Sequence, residues 1–312
     1  FFPSVSAGWI LSEEPFWAPV SKGISFFKLK ASWGMMGNDS IPSYQYMSQY
    51  MFDYSGVTFG SGEATNQAKA LYLARVANPD VTWETAQTYN AGFVMNFLKK
   101  FSLEGDFFYS HRSDILCTRN ASVPSYSGLI LPDENIGIVN NHGVEFVATY
   151  HDSADDWNWG VTGNFTYAKN KVVYMDEAEN TPEWQKQEGY PIDSQLLYQA
   201  LGIYQSQEEI NGSATIDDNV TPGDLQYLDK DGNNVITAND MIRINRTSTP
   251  KIVYGFTLNA GWKGLDFNAF FQGQALASTL FMPTMNMVQE YYEGRYVEND
   301  PSTHATAKYP KA

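Results

Sequence analysis

The chain has little cysteine, no long apolar run and few basic residues, and each shortage excludes a class of protein. Its single cysteine, Cys117, cannot form an internal disulfide or a multi-cysteine zinc site. No apolar run approaches the roughly 18–20 residues of a membrane-spanning helix, which excludes an α-helical membrane protein. With 20 basic and 35 acidic residues, the formal net charge is −15. A nucleic-acid-binding protein usually carries the opposite balance, so we expect no nucleic acid partner.

The common catalytic signatures are also missing from the sequence. The four histidines are scattered, with no His-Glu-x-x-His spacing, and no Gly-x-Ser-x-Gly segment occurs. Paired carboxylates such as Asp155 and Asp156 lie in turn-like sequence, where solvation is the ordinary explanation. We therefore expect no enzymatic activity.

Aromatic residues are abundant, at 15% of the chain, and they take part in a regular alternation of apolar and polar residues. An alternation with a period of two predicts β-strands. Eight segments show it: residues 4–10, 26–34, 88–98, 101–112, 142–150, 157–168, 252–262 and 265–274.

The lengths of these segments and of their connections favour strands that cross a membrane. Most run about 9–12 residues, whereas strands of soluble proteins usually have about 5–6, and a tilted strand needs about 9–11 residues to cross a bilayer. Three connections are short: 99–100, 151–156 and 263–264. The others are long: 35–87, 113–141, 169–251 and 275 onward. Short turns at one rim and long loops at the other are typical of outer-membrane barrels.

We therefore predict an all-β fold, an antiparallel transmembrane β-barrel in outer-membrane lipid. All of residues 1–312 would belong to this one domain, with short periplasmic turns and long extracellular loops, of which 169–251 is one. The apolar stripe of each strand would face lipid and the polar stripe the lumen. No closing strand follows residue 275, so the eight strands are expected to be a fragment of a larger barrel.

Seven sequence blocks stand out along the chain: FPSVSAGW from Phe2, LKASWG from Leu29, NPDVTWE from Asn78, DFFY from Asp106, NNHGVE from Asn140, PGDLQY from Pro222 and PKIVYGF from Pro250. These blocks and their order resemble the C-terminal part of the barrel in the SusC/RagA family of TonB-dependent outer-membrane transporters. They extend from the first residue to about residue 275. The N-terminal plug, the TonB box and the final strands of the family have no counterpart in this sequence.

The resemblance implies import of glycan fragments or oligopeptides across the outer membrane, driven by the TonB complex through the missing N-terminal part. It also implies a SusD-like surface lipoprotein that closes the extracellular mouth. An alternative from another class is a secreted, soluble β-rich module that binds or cleaves glycans and uses a structural calcium. That alternative accounts for the aromatic residues and the acidity, but not for ten-residue strands with apolar faces.

One segment, residues 229–240, is similar to the twelve-residue calcium loop. Oxygen ligands at a spacing of two residues allow a short loop to wrap one Ca²⁺. The candidate ligands are Asp229, Asp231, Asn233, the backbone carbonyl of Val235, Thr237 and Asp240. Position six carries Asn234 instead of glycine, and the last ligand is the shorter aspartate instead of glutamate. The alternative is a turn rich in Gly, Asn and Asp that needs no metal.

Clusters of aromatic residues in the long connections are candidates for contact with substrate or partner. Flat aromatic rings beside amide and carboxylate groups suit both sugar rings and the surface of another protein. The candidates are Trp184, Tyr190, Tyr198, Tyr291 and Tyr292. Ordinary packing within the loops is the alternative for each of them.

Overall fold

In the computed structural model, which describes residues 1–60, 66–119, 131–280 and 288–311, contacts divide the chain into two compact units. The strand unit comprises Phe1–Glu179 and Lys251–Ala275, and the loop unit comprises Asn180–Pro250 and Leu276–Ala312. The two long connections thus form a unit of their own, in a chain that the sequence assigns to one domain. None of the helices in the described ranges is long and apolar enough to cross a membrane.

Strands make up most of the described structure. In chain order they are β1 (Ser4–Ile10), β2 (Ile24–Asn38), β3 (Gln49–Phe59), β4 (Asn66–Arg75), β5 (Glu84–Phe97), β6 (Phe101–Cys117), β7 (Glu134–Ala154), β8 (Trp157–Tyr174), β9 (Leu196–Leu197), β10 (Ala200–Ile203), β11 (Leu225–Tyr227), β12 (Ile242–Arg243), β13 (Ile252–Trp262) and β14 (Leu265–Ala275). The helices are short: α1 (Gln207–Asn211), α2 (Val288–Gly294) and α3 (Pro301–His304).

Eight strands of the strand unit form one antiparallel sheet in the order β1-β2-β5-β6-β7-β8-β13-β14. Strands that follow one another in the chain are therefore neighbours, apart from the insertions between β2 and β5 and between β8 and β13. The sheet confirms all eight predicted strand segments. Its edge strands are β1 and β14, so the described part of the chain does not close a barrel.

The predicted bounds are too short at one end of the sheet. The segment predicted as 142–150 is β7, which runs from Glu134 to Ala154, and 157–168 is β8, which continues to Tyr174. Most of these extra residues, 134–141 and 169–174, lie at the end of the long connections. The alternation weakens there because Val139 and Val172, on the face that is polar farther along the strands, are buried.

Two connections also differ from the prediction. The predicted loop 35–87 contains the paired strands β3 and β4, which form a hairpin separate from the main sheet. The predicted connection 151–156 is shorter, because Ala154 still pairs with Trp157. Only Asp155 and Asp156 remain in that turn. Asp155 has φ +52°, and positive φ at turn residues suits the twist of a two-residue hairpin.

Strand register places the apolar residues in continuous rows on one face of the sheet. Trp9, Leu29, Phe93, Gly105, Phe146, Phe165, Tyr254 and Gly273 form one such row across all eight strands. All large side chains in this row except the half-buried Phe93 stay exposed in the described structure; Trp9 retains 51% and Tyr254 45% of its accessible surface. A sheet face this wide and this apolar needs an apolar surrounding, and the bilayer of the predicted barrel supplies it.

The apolar face has the height of a bilayer. On β8 its outward residues run from Trp157 to Tyr167, ten residue steps. At about 3.3 Å per step and a tilt of about 40°, this distance is about 25 Å along the membrane normal, the height of the apolar band in outer-membrane barrels. Aromatic pairs border the band at the short turns, with ring centroids 5.5 Å apart for Trp157 and Trp262 and 4.8 Å for Phe97 and Phe101.

The opposite face is polar and carries an ion-pair network. Lys30 on β2 donates to Glu104 Oε1 at 2.6 Å and to Asp106 Oδ2 at 2.8 Å, both on β6. It spans the intervening strand at Gly92, where an added Cβ would lie 2.3 Å from Asp106 Oδ1. Glycine at this position therefore leaves room for the contact across three strands. The network fits the water-exposed inner wall that the sequence predicts for this face.

The loop unit has a small core of its own. Tyr204 (2% exposed), Ile236 (3%) and Tyr296 (3%) are its most buried large side chains, and the Tyr204 hydroxyl donates to the Ala214 carbonyl at 3.1 Å. Tyr296, from the second connection, packs on Gly223 of the first. The Lys311 backbone N–H donates to the Gly223 carbonyl at 2.9 Å. These contacts hold the two connections together as one unit.

We expect Gly223→Ala to open the loop unit. Gly223 has φ +98°, and an added Cβ would lie 2.5 Å from Tyr296 Cδ1, so the substitution combines backbone strain with overpacking. Together these cost about 2–4 kcal/mol. Hydrogen exchange of residues 200–250 in the full-length protein should become faster. Gly202→Ala is the matched control, because its Cβ would meet nothing within 4 Å; equal exchange in both variants would contradict the prediction.

Candidate functional site

The calcium-like loop 229–240 is held by aspartate and asparagine side chains that accept backbone N–H groups of the loop itself. Asp229 accepts from Gly232 at 2.7 Å and from Asn234 at 2.8 Å. Asp231 accepts from Asn233 at 3.1 Å, and the Asn233 side chain accepts from Val235 at 2.8 Å. The carboxylates at loop positions one and three therefore lie on the inside of a tight turn.

Position six of the loop adopts the left-handed conformation that a calcium loop needs there. Asn234 has φ +63°, in the left-handed region that glycine usually occupies at this position. Asparagine reaches this region more easily than most residues because its short polar side chain tolerates it. The replacement of glycine by Asn234 thus leaves the path of the loop intact.

The last residue of the loop, Asp240, is fully buried and braces the two ends of the loop. Its Oδ1 accepts from the N–H groups of Lys230 at 2.7 Å and Asp231 at 3.3 Å. Its Oδ2 accepts from the Thr237 N–H at 2.7 Å and from the Thr237 hydroxyl at 3.3 Å. Burial by itself would raise the pKa of Asp240, but the hydrogen bonds from Thr237, Lys230 and Asp231 outweigh it and hold the pKa below its ordinary value.

The loop meets the chemical requirements of a calcium site in part. One carboxylate oxygen from each of Asp229, Asp231 and Asp240 lies within 4.8 Å of the others, and hard oxygen ligands of this kind suit Ca²⁺. Asp240 already accepts four hydrogen bonds, so a bound cation would share its oxygens with the backbone. The Thr237 hydroxyl accepts from the Asn239 N–H at 3.2 Å. Calcium at this loop stays a prediction.

Because the pKa of Asp240 is depressed, we expect the loop 229–240 to lose its folded structure in acid. A lowered folded-state pKa gives stability that is fully present above the unfolded pKa of about 3.9 and is lost as the pH falls through the folded value. We expect the Trp184 fluorescence, measured as the difference between the protein and Trp184→Phe, to stay constant down to about pH 4 and to change below it. A transition centred above about pH 4.5 would contradict this assignment.

Three of the five candidate aromatic residues pack inside the loop unit. The Trp184 indole donates to the Asn239 carbonyl at 2.8 Å, and Lys230 Nζ lies 5.7 Å from its ring centroid, so Trp184 supports the calcium-like loop. The rings of Tyr198 and Tyr227 lie 5.4 Å apart. The Tyr291 hydroxyl donates to the carbonyls of residues 310 and 311 at 3.3 and 3.2 Å.

The remaining two aromatic candidates differ from each other in exposure. Tyr292 is 65% exposed, with the Arg295 guanidinium 3.7 Å from its ring centroid. Tyr190 is half-buried, and its N–H closes a turn with the Gln187 carbonyl at 3.0 Å. Of the five candidates, Tyr292 offers the largest free aromatic surface. Contact with substrate or partner stays a prediction for all five.

The structure adds two residues to the loop that sequence patterns do not reveal. Gln185 Nε2 donates to the carbonyls of Ala238, Asn239 and Met241 at 2.8–3.1 Å. Arg243 donates to the carbonyls of Gln185 and Ser194 at 2.9 and 2.8 Å. Both bond to backbone atoms 49 to 58 positions away in the sequence. A local motif carries no signal of such contacts.

The sequence of this chain is similar to proteins of one family. A family model described as TonB dependent receptor-like, beta-barrel, matches residues 1–300. TonB-dependent receptor P3 of Formosa agariphila is 30% identical over 298 residues, which cover 90% of this chain and 29% of that protein. TonB-dependent receptor SusC of Bacteroides thetaiotaomicron is 26% identical over 289 residues, 86% of this chain and 26% of that protein.

Solved structures share the fold. The RagAB peptide transporter matches with a TM-score of 0.61 at 24% identity, covering 87% of this chain and 29% of that chain. The RagAB peptide importer in its 'open-open' state matches with a TM-score of 0.64 at 22% identity, covering 88% and 28%. The chain thus spans less than a third of the length of these relatives. With the family model matching nearly its whole length, this chain belongs to the TonB-dependent receptor-like β-barrel family of outer-membrane proteins.

Proposed function

We propose that the full-length protein imports glycan fragments or oligopeptides across the outer membrane in a TonB-dependent manner. The observation that carries the proposal is the eight-stranded antiparallel sheet with one apolar and one polar face, in a chain whose family model spans residues 1–300. Such a sheet is stable in lipid when its backbone groups are paired within a closed barrel. The remaining strands and the plug would come from the rest of the protein.

The mechanism is binding and gated passage, without covalent chemistry. Substrate binds at the mouth formed by the long connections, and a SusD-like lipoprotein closes over it. The TonB complex then acts through the N-terminal part to displace the plug. Support for the lipoprotein and the TonB complex comes from the similarity to SusC and to the RagAB structures. The apolar sheet face favours this function over a secreted soluble glycan-binding or glycan-cleaving module.

Purification of the full-length protein from outer membranes tests the proposal. The tagged protein would be extracted in detergent, and its co-purifying proteins and small molecules identified by mass spectrometry. We expect a stoichiometric surface lipoprotein together with bound oligosaccharide or peptide, which would also identify the substrate class. Recovery of the protein alone, from the soluble fraction, would overturn the proposal and favour the secreted module.

We also propose that the loop 229–240 binds a structural Ca²⁺. The ligands would be Asp229, Asp231, Asn233, the Val235 carbonyl, Thr237 and Asp240. Support comes from the carboxylate oxygens within 4.8 Å of one another and the inward turn of the loop. The ion would stabilise the loop by binding the folded state alone.

Calcium titration of the chelator-treated full-length protein tests this second proposal. We expect Ca²⁺ to slow hydrogen exchange in residues 225–245, and Asp229→Ala to abolish the effect. Asp218→Ala, at an exposed acidic residue outside the loop, should respond as the unchanged protein does. Exchange rates that do not depend on Ca²⁺ would leave the loop as a metal-free turn.

A further inference from the structure

A basic surface lies on the apolar side of the sheet, directly past the end of the apolar band. Two neighbouring rows across β5, β6, β7 and β8 form it. The first row is Tyr89, Tyr109, His142 and Lys169; the second is Gln87, His111, Asn140 and Lys171. Register places both rows on the same side of the sheet as Phe146 and Phe165. We call these eight residues the basic rim.

The position of the basic rim corresponds to a lipid head-group layer. Tyr167 ends the apolar band on β8, and Lys169 and Lys171 follow on the same face. At about 3.3 Å per residue and a tilt of about 40°, they lie about 5 and 10 Å beyond that ring. The head-group layer on each side of the hydrocarbon core is about 5–7 Å thick. Lys169 therefore lies at the level of this layer and Lys171 about 3–5 Å beyond it.

Within the ranges that the structure describes, no carboxylate neutralises the charge of the basic rim. The two rows contain no aspartate or glutamate. Among the described residues, neither Lys169 nor Lys171 has a carboxylate within ion-pair distance, and Lys171 is exposed. In a chain of net charge −15, two adjacent free lysines on a membrane-facing surface are unusual.

Two lysines at the short-turn end of the same sheet have carboxylate partners. Lys100 Nζ lies 2.6 Å from Asp152 Oδ2, and Lys263 Nζ lies 3.3 Å from Asp156 Oδ2. These lysines are neutralised by the protein itself. Lys99, beside Lys100 in the same turn, forms no ion pair among the described residues, so the short-turn end carries both neutralised and free lysines, whereas both lysines of the basic rim are free.

We propose that the basic rim binds the phosphate of a phosphorylated lipid in the extracellular leaflet. The inference rests on the proposed function, which places the long connections outside the cell. Lys169 and Lys171 provide the charge. His142, directly opposite Lys169, and Asn140, directly opposite Lys171, provide hydrogen-bonding groups, while the acyl chains lie along the apolar band. His111 Nδ1 and Asn140 Oδ1 are 2.7 Å apart, which fixes both side chains.

Binding of lipid A to the full-length protein in detergent, followed by native mass spectrometry, tests the proposal. The probes are lipid A and the same lipid with its phosphates removed. We expect the unchanged protein to prefer the phosphorylated form, and the double variant Lys169→Gln/Lys171→Gln to weaken its binding roughly 25-fold, as two interfacial charges do. Lys28→Gln/Lys99→Gln removes the same charge away from the basic rim and should bind as the unchanged protein does.

The outcomes separate this inference from the proposed function. Membrane fractionation of the same strains establishes whether the protein is in the outer membrane at all. A protein that is in the outer membrane but binds both lipid forms equally, or is unaffected by the Lys169/Lys171 substitutions, overturns the basic rim alone. Equal weakening by the control pair would show a general charge effect and overturn it as well.

Discussion

Phe256→Arg is expected to destabilise the protein in the membrane by about 2–4 kcal/mol, because it places a charge on the lipid side near mid-bilayer. Phe256 lies near the centre of β13, is 41% exposed on the apolar face and stacks on Phe271 with ring centroids 4.7 Å apart. The measurement is guanidinium unfolding of the full-length protein in lipid vesicles, compared with Phe256→Leu to separate charge from lost packing.

The neighbouring residue provides the matched control. Thr257 is next in the same strand, so its side chain points to the opposite, polar face. Thr257→Arg should cost less than about 1 kcal/mol, since an arginine there contacts the water-exposed wall. Equal losses for Phe256→Arg and Thr257→Arg would show that the two faces do not have the assigned environments, and would reject the membrane assignment of the sheet.

Asp240→Asn is expected to destabilise the loop unit by about 2–4 kcal/mol, because an amide replaces one acceptor oxygen by a donor in a fully buried position. The N–H groups of Lys230, Asp231 and Thr237 all depend on this carboxylate. Hydrogen exchange of residues 225–245 in the full-length protein, with chelator present, measures the loss without any contribution from calcium.

An aspartate-to-asparagine substitution at Asp231 tests whether the loss at Asp240 comes from its burial or from any aspartate of the loop. Asp231 is exposed, and its Oδ1 accepts a single backbone N–H, from Asn233. Asp231→Asn should therefore cost less than about 1 kcal/mol. If Asp231→Asn and Asp240→Asn opened the loop equally, the bracing role of Asp240 would be wrong.

Sequence periodicity located the membrane strands but not their full length. Within the band, one face meets lipid and the other water, so residues such as Trp157, Trp159 and Val161 alternate with polar ones. Past the band, as at Val139 and Val172, burial no longer follows that division and the signal is lost. The hairpin β3–β4 was not predicted because its exposed residues Tyr50, Met51 and Phe52 are consecutive apolar residues without alternation.

Some features of the candidate site are set by neighbouring residues and can be predicted from the sequence, whereas others depend on residues far apart in the chain. The spacing of Asp229, Asp231 and Asn233 and the left-handed position of Asn234 could be read from the sequence, because the hydrogen bonds of such a turn join residues two to five apart. The Lys30 network, the packing of Tyr296 on Gly223 and the basic rim depend on residues far apart in the chain.

By itself, the sequence determined that this protein is an all-β chain with eight membrane-type strands, short turns at one end and a calcium-like loop. Each of these properties is set by neighbours within about a dozen residues. Tertiary structure alone decided that the two long connections form one unit, that Asp240 braces its loop and that free lysines border the apolar band. Strand register and loop packing bring those groups together, and no local pattern encodes which distant residues meet.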